Sequence, residues 1–194
     1  MLSERQEQII EESIKLIDKK GIQGLTIKNL SKAIEISEPG IYRHFESKSS
    51  ILLTILNNLK QSTEHLSSEL KNKNISSLEK LEVIFDHYFK RFTKTPAIVS
   101  VIFAEEIFKN EKVLSEKVLE IISLNQKIMM CIIQSGQESG EIRSDIDKNN
   151  LAILIIGSLR MIVKKWELSR YSFNLKKQGE SLYGSIKLLI KNEN

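Results

Sequence analysis

Along the whole chain the apolar positions recur at three- and four-residue intervals, and no stretch alternates convincingly with period two. That spacing lines one face of a helix, so the pattern predicts an all-α protein of about nine helices, three of them short. The first runs from Ser3 to about Lys20, with Ile10, Ile14 and Ile17 on one stripe and Gly21 as its stop. Thr26 is the N-cap of a short second helix whose Ile27, Leu30, Ser31 and Ile34 share a face. Ser37 caps a third, with Pro39 in the first turn, where no backbone donor is lost. Ser47 opens a long fourth helix through Ile51, Leu52, Ile55, Leu56, Leu59 and Leu66.

An aromatic-rich helix through Leu81, Phe85, Tyr88, Phe89 and Phe92 follows, and Thr95-Pro96 has the form of a cap before "AIVSVIFAEEIF". A long helix then spans about Lys112 to Ser139. Asp145 or Asp147 opens the next, from about Lys148 to Ser169, and a last covers about Leu175 to Lys191. The short second and third helices, joined by a tight turn, make a helix-turn-helix, whose second member suits a DNA major groove. In "SEPGIYRHFESK" (37–48), only Ile41 and Phe45 are left to anchor a segment otherwise crowded with polar and ring-bearing groups. Gly40 costs a helix up to about 1 kcal/mol relative to Ala, which close approach of backbone to a DNA strand would explain. Tyr42 and His44 suit phosphate oxygens, Arg43 the edge of a guanine, and Lys48 a phosphate at the start of the fourth helix.

Composition changes this picture little. The chain of 194 residues is 41% apolar and 28% charged. Its net charge of +4 arises wholly in residues 145–194, which carry 9 basic against 5 acidic side chains; residues 1–48 balance at 8 and 8. Any case for DNA is therefore local. The lone Cys131 excludes an intramolecular disulfide and, with a polar N-terminus lacking a signal peptide, predicts a cytoplasmic protein. No apolar run approaches the length that spans a bilayer, so no membrane association is expected. His44, His65 and His87 fall in no metal-binding spacing, and Cys131, in "IMMCII", reads as a buried inert thiol. No catalytic residue, metal site or cofactor is predicted.

The segment "LTIKNLSKAIEISEPGIYRHFESKSSILLTIL" (25–56) resembles the DNA-binding segment of tetracycline-repressor-type (TetR family) transcriptional regulators. The closest part is "IYRHFESKSSIL", with the aromatic-x-x-Phe-x-x-Lys spacing of that family. The resemblance implies phosphate contacts at Thr26, Tyr42, His44 and Lys48, and a base-reading surface of Lys28 and the exposed first turns from Glu38 through Pro39 and Gly40 to Arg43, with the cap Ser37 also in the DNA-binding set. It also implies an N-terminal three-helix DNA-binding domain (1–48) and a helical ligand-binding and dimerisation domain (49–194). Where the family usually has Ala-Gly at the helix-turn junction, this chain has Ile34-Glu35.

Beyond the first third the residues speak for themselves. In "LAILIIGSLRMIV" (151–163) the apolar positions wrap the full helix, so it must be covered on all sides, either by its own core and a partner chain or at the centre of a large monomeric bundle. Ile153, Ile156 and Gly157, with Leu182, Ile186 and Leu189 of the last helix, are the candidate homodimer surface. Phe85, Phe89, Phe103, Met129 and Trp166 are candidates to line an apolar effector pocket, with Glu105 and Arg160 for a charged group on the ligand. Read singly, the apolar ones are more often plain core, and the charged ones more often ion pairs or surface charges. The chain thus reads as a ligand-responsive repressor that leaves a palindromic operator in double-stranded DNA when a small hydrophobic or amphipathic molecule binds. The alternative is a helical homodimer sensing or carrying hydrophobic ligands through protein contacts, without DNA.

Overall fold

The computed structural model describes residues 2–103 and 111–192, and Glu105 lies outside them. Among the described residues there are nine helices: α1 (Glu4–Gly24), α2 (Ile27–Ile34), α3 (Glu38–Tyr42), α4 (Lys48–Asn72), α5 (Ser77–Lys94), α6 (Ala97–Ile102), α7 (Lys112–Glu138), α8 (Lys148–Leu168) and α9 (Leu175–Ile190). None is long and apolar enough to cross a membrane.

Local chemistry explains most of the boundaries. The Ser3 hydroxyl accepts from the Gln6 N–H while the Gln6 side chain accepts from the Ser3 N–H, a reciprocal cap that starts α1. Gly21 sits at φ 68, ψ 173, a positive φ that suits glycine, and breaks the helix where its stop was expected; a short further turn then runs on to Gly24. Asp147, not Asp145, opens α8, its carboxylate accepting from the N–H groups of Asn149 and Asn150. Thr95 does not cap α6 with its side chain. Pro96 is already helical, and the Thr95 carbonyl accepts from Ile98 N–H through a tight first turn.

The chain forms two compact units. The first comprises residues 1–61 and 95–120, the second 62–94 and 121–194. In the first, α1 packs against α2 and α6, and α2 against α3. In the second, α9 packs against α5 and α8. The α5–α9 contact is close because Gly179 has no side chain: a Cβ there would lie 2.1 Å from the Phe89 ring. Tyr183 of α9 donates its hydroxyl to the Leu78 carbonyl at the start of α5. The Glu141 carboxylate caps the same helix by accepting from Ser77 and Leu78 N–H.

Candidate nucleic-acid interface

The helix-turn-helix begins with two carbonyls at the end of α1 that accept from beyond the helix, although Ile22 also accepts from Leu25 N–H at 3.2 Å. Asn29 Nδ2 donates to the Gly24 carbonyl at 2.8 Å, and Lys48 Nζ donates to the Ile22 carbonyl at 2.9 Å. These bonds join α1 to α2 and to the start of α4, and the first of them satisfies an acceptor that the helix end leaves open. Thr26 Oγ1 accepts from Asn29 N–H at 3.1 Å, so α2 starts where its cap predicts. It ends on Glu35, which adopts φ 59, ψ 40 in the left-handed region. Its N–H and that of Ile36 both reach back to the Ser31 carbonyl, closing the turn.

The reading helix α3 has only five residues, too few to persist alone. Ser37 Oγ accepts from Gly40 N–H at 3.2 Å at its start. Ile41, wholly buried, and Phe45 fix it to the core, and helical bonds continue past Tyr42 to Phe45. Gln6 Nε2 adds a bond to the His44 carbonyl from α1. Two anchors at i and i+4 turn the intervening face outward. Tyr42 is 50% exposed, Arg43, Glu38 and Pro39 are exposed, and His44 is half-buried. Thr26, Lys28 and Ser37 are exposed as well. The cap hydroxyls of Thr26 and Ser37 each accept one N–H, which leaves their O–H free to donate outward.

Two of these residues have a structural role that the sequence did not show. A Cβ on Gly40 would come 3.3 Å from Ser37 Oγ and 3.7 Å from the Ile36 side chain. Part of the reason for a glycine is thus the crowded cap of its own helix. Lys48 is half-buried and fastens α4 to α1, although its ammonium keeps two further donors. The start of α4 is held by Ser47 and Ser50, whose hydroxyls accept reciprocally from each other's N–H at 3.1 Å.

The residues predicted to line an effector pocket fall in both units. Phe85, Phe89, Met129, Arg160 and Trp166 belong to the second unit, while Phe103 belongs to the first. Phe85 and Phe89 pack edge-on at 5.8 Å, and Phe85 lies 5.2 Å from Tyr183, all within the α5–α9 core. Trp166 is buried, its N–H bonded to the Phe173 carbonyl. An open cleft of about 390 Å³ lies elsewhere, in the first unit, between Ser49, Ser50 and Leu53 of α4 and residues 111–114.

The candidate dimer surface also divides. Ile153 and Leu189 are exposed, and Ile156 and Leu182 half-buried, but Ile186 is 7% exposed and fills the second unit's own core, so it offers nothing to a partner. Leu154, Met161, Leu168 and Leu188, which the sequence did not single out, are exposed as well; Met161 reaches 71%. The seven-residue spacing of Leu154, Met161 and Leu168 was the signal available for them. Cys131 is exposed rather than buried. The apolar run wraps α7, and its core face is taken by Met129, Ile132 and Ile133, which turns Cys131 outward.

Residues 9–55 match the family described as bacterial regulatory proteins, tetR family, and residues 56–192 match the YsiA-like protein, C-terminal region. The probable acrEF/envCD operon repressor of Escherichia coli strain K12 is 23% identical over 200 residues, covering 100% of this chain and 90% of that protein. The crystal structure of the transcriptional regulator FadR from Bacillus subtilis in complex with stearoyl-CoA superimposes with a TM-score of 0.80 at 21% identity, over 93% of this chain and 96% of that one. The ketosteroid transcriptional regulator KstR2 of Mycobacterium tuberculosis gives 0.84 at 17% identity, over 100% and 98%. With both halves matched in order and the reading helix built as described, this chain belongs to the tetR family of bacterial regulatory proteins, a family of DNA-binding transcriptional regulators rather than enzymes.

Proposed function

We propose that this regulator is a homodimeric repressor that occupies a palindromic operator and leaves it when a small hydrophobic or amphipathic effector binds. Residues 1–48 act as the reading head and 49–194 as the regulatory and dimerisation part. The observation that carries the reading is α3, held by Ile41 and Phe45 with Tyr42 and Arg43 turned to solvent. Arg43 reads a base edge. Lys28, Glu38 and Pro39 complete the reading surface, and Gly40 lets its backbone approach. Thr26, Ser37, Tyr42, His44 and Lys48 grip phosphates, which fix orientation without reading sequence.

Two copies are needed because a two-fold operator presents successive major grooves about 34–36 Å apart. The exposed apolar residues of α8 and α9 support a symmetric contact through these helices. So does Gly157: a Cβ there would meet nothing within 4 Å in its own chain, so no contact within the chain requires a glycine at that point in α8. A partner helix crossing there would use the missing side chain. The stearoyl-CoA carried by the Bacillus subtilis relative supports an amphipathic effector. Its binding would shift the population toward a form whose two heads no longer match the groove spacing.

Gel-shift titration against the DNA upstream of its own coding region tests this, with Arg43→Ala as the informative variant. Arg43→Ala costs about 1–3 kcal/mol of operator affinity and relaxes the preference at one base position. An unchanged sequence preference removes Arg43 from base reading, and equal binding to every duplex refutes specific regulation.

A further inference from the structure

Along α5 two basic side chains stand next to each other in very different surroundings. Lys90 is exposed and pairs with Asp86 one turn earlier at 2.6 Å. Arg91 is half-buried, and among the described residues no carboxylate pairs with it and no acceptor holds its guanidinium. Burial pushes its pKa down from the ordinary arginine value. A cation partly withdrawn from water usually has a fixed counter-charge, and among the described residues this one has none.

Polar side chains from three helices lie close by. Tyr88, one turn before Arg91, donates its hydroxyl to Asn125 Oδ1 of α7 at 2.7 Å and is also hydrogen-bonded by the Thr63 side chain of α4. Thr63 is itself buried, and the Tyr88 ring stacks on Phe92 at 5.8 Å. Three helices thus bring polar groups to one place beside apolar Phe92, and Met129 lies one turn along α7 from Asn125. His87 stands one turn before Arg91. Burial, and then the charge of Arg91, lower its pKa, while Glu69 and Asp86 act the other way and His65 adds a small lowering.

We infer that Arg91, with Tyr88 and His87 beside it, binds the acidic head group of an amphipathic effector, a carboxylate or phosphate on an apolar chain. The inference rests on reading the second unit as the effector-binding part, and it names the ligand class. The anion supplies the counter-charge that Arg91 lacks, and the guanidinium fork suits the paired oxygens of either group. The apolar chain gains by leaving water.

The test uses the full-length protein with dodecanoate, dodecyl phosphate and dodecanol, followed by calorimetry and by operator release. The two anions are expected to bind on the order of ten- to a hundredfold more tightly than the alcohol, the range a charge-assisted hydrogen-bonded contact supports. Arg91→Gln is expected to abolish that difference, with the alcohol's affinity retained and the melting temperature little changed. A negative charge beside His87 favours its protonated form, so the anions raise the midpoint of its NMR titration and the alcohol leaves it in place. Whichever anion binds more tightly identifies the head group. Equal binding of alcohol and anions overturns the Arg91 assignment and leaves the effector reading standing, as does an Arg91→Gln protein that still prefers the anions. If none of the three binds, both fall.

Discussion

Glu35→Gly provides the sharpest test of how the turn between α2 and α3 is built. Glu35 sits at φ 59, ψ 40, where a side chain crowds the following carbonyl. That conformation costs about 1–2 kcal/mol for an L-residue, and glycine removes the cost. Glycine also frees the unfolded chain, which returns roughly 0.4–1 kcal/mol. The net gain is about 0.5–1 kcal/mol, and for a domain of this size it corresponds to a rise of about 1–4 °C in melting temperature. Glu35 is exposed, so little packing is lost. Its removal also takes residues 1–48 from a balance of 8 basic and 8 acidic side chains to a net +1, so DNA affinity should rise, most clearly at low salt. Glu35→Gln separates the two effects, because it removes the charge and keeps the left-handed side chain. Urea or thermal unfolding with a salt-titrated gel shift reads both. A Gly variant less stable than wild type, or a Gln variant as stabilised as the Gly variant, would refute the conformational argument.

Two further outcomes follow from the same geometry. Lys48→Ala removes the bond to the Ile22 carbonyl and should cost about 1–2 kcal/mol of stability in denaturant unfolding. It should also weaken binding to all duplexes alike and reduce the salt slope by about one, and a loss confined to one operator sequence would contradict its phosphate role. Met161→Glu places a charge in the exposed apolar stripe of α8, which should turn a dimer into a monomer in sedimentation while leaving the helical circular dichroism intact. A variant that still sediments as a dimer would show that this stripe is not the interface.

The features legible in the sequence were those decided within a few residues. Thr26 and Ser37 each accept an N–H three residues on, as their position before an apolar run predicts. Ile41 and Phe45 were readable as anchors because their spacing alone puts them on one helical face. The left-handed Glu35 was foreshadowed by the absence of the usual glycine. The family's segment could be recognised for the same reason, since cap, anchors and exposed ring lie within one short stretch.

What depended on distant neighbours was not legible. The Lys48 ammonium meets a carbonyl 26 residues away, so its second role appears only once α1 and α4 are placed. Apolar residues ring α8 completely, and spacing cannot say which of them the chain's own core covers; the packing of α9 on α8 leaves Met161 and Leu188 outside, the latter 76% exposed. Cys131 and Ile186 went to the opposite sides of their helices from those expected, for the same reason. Arg91 is the clearest instance. Its residue type was visible, but a cation becomes informative only when the fold has taken part of its water and, among the described residues, supplied no carboxylate. Hydrogen bonds between near neighbours are fixed by covalent spacing, whereas burial is a property of surfaces that meet only after folding.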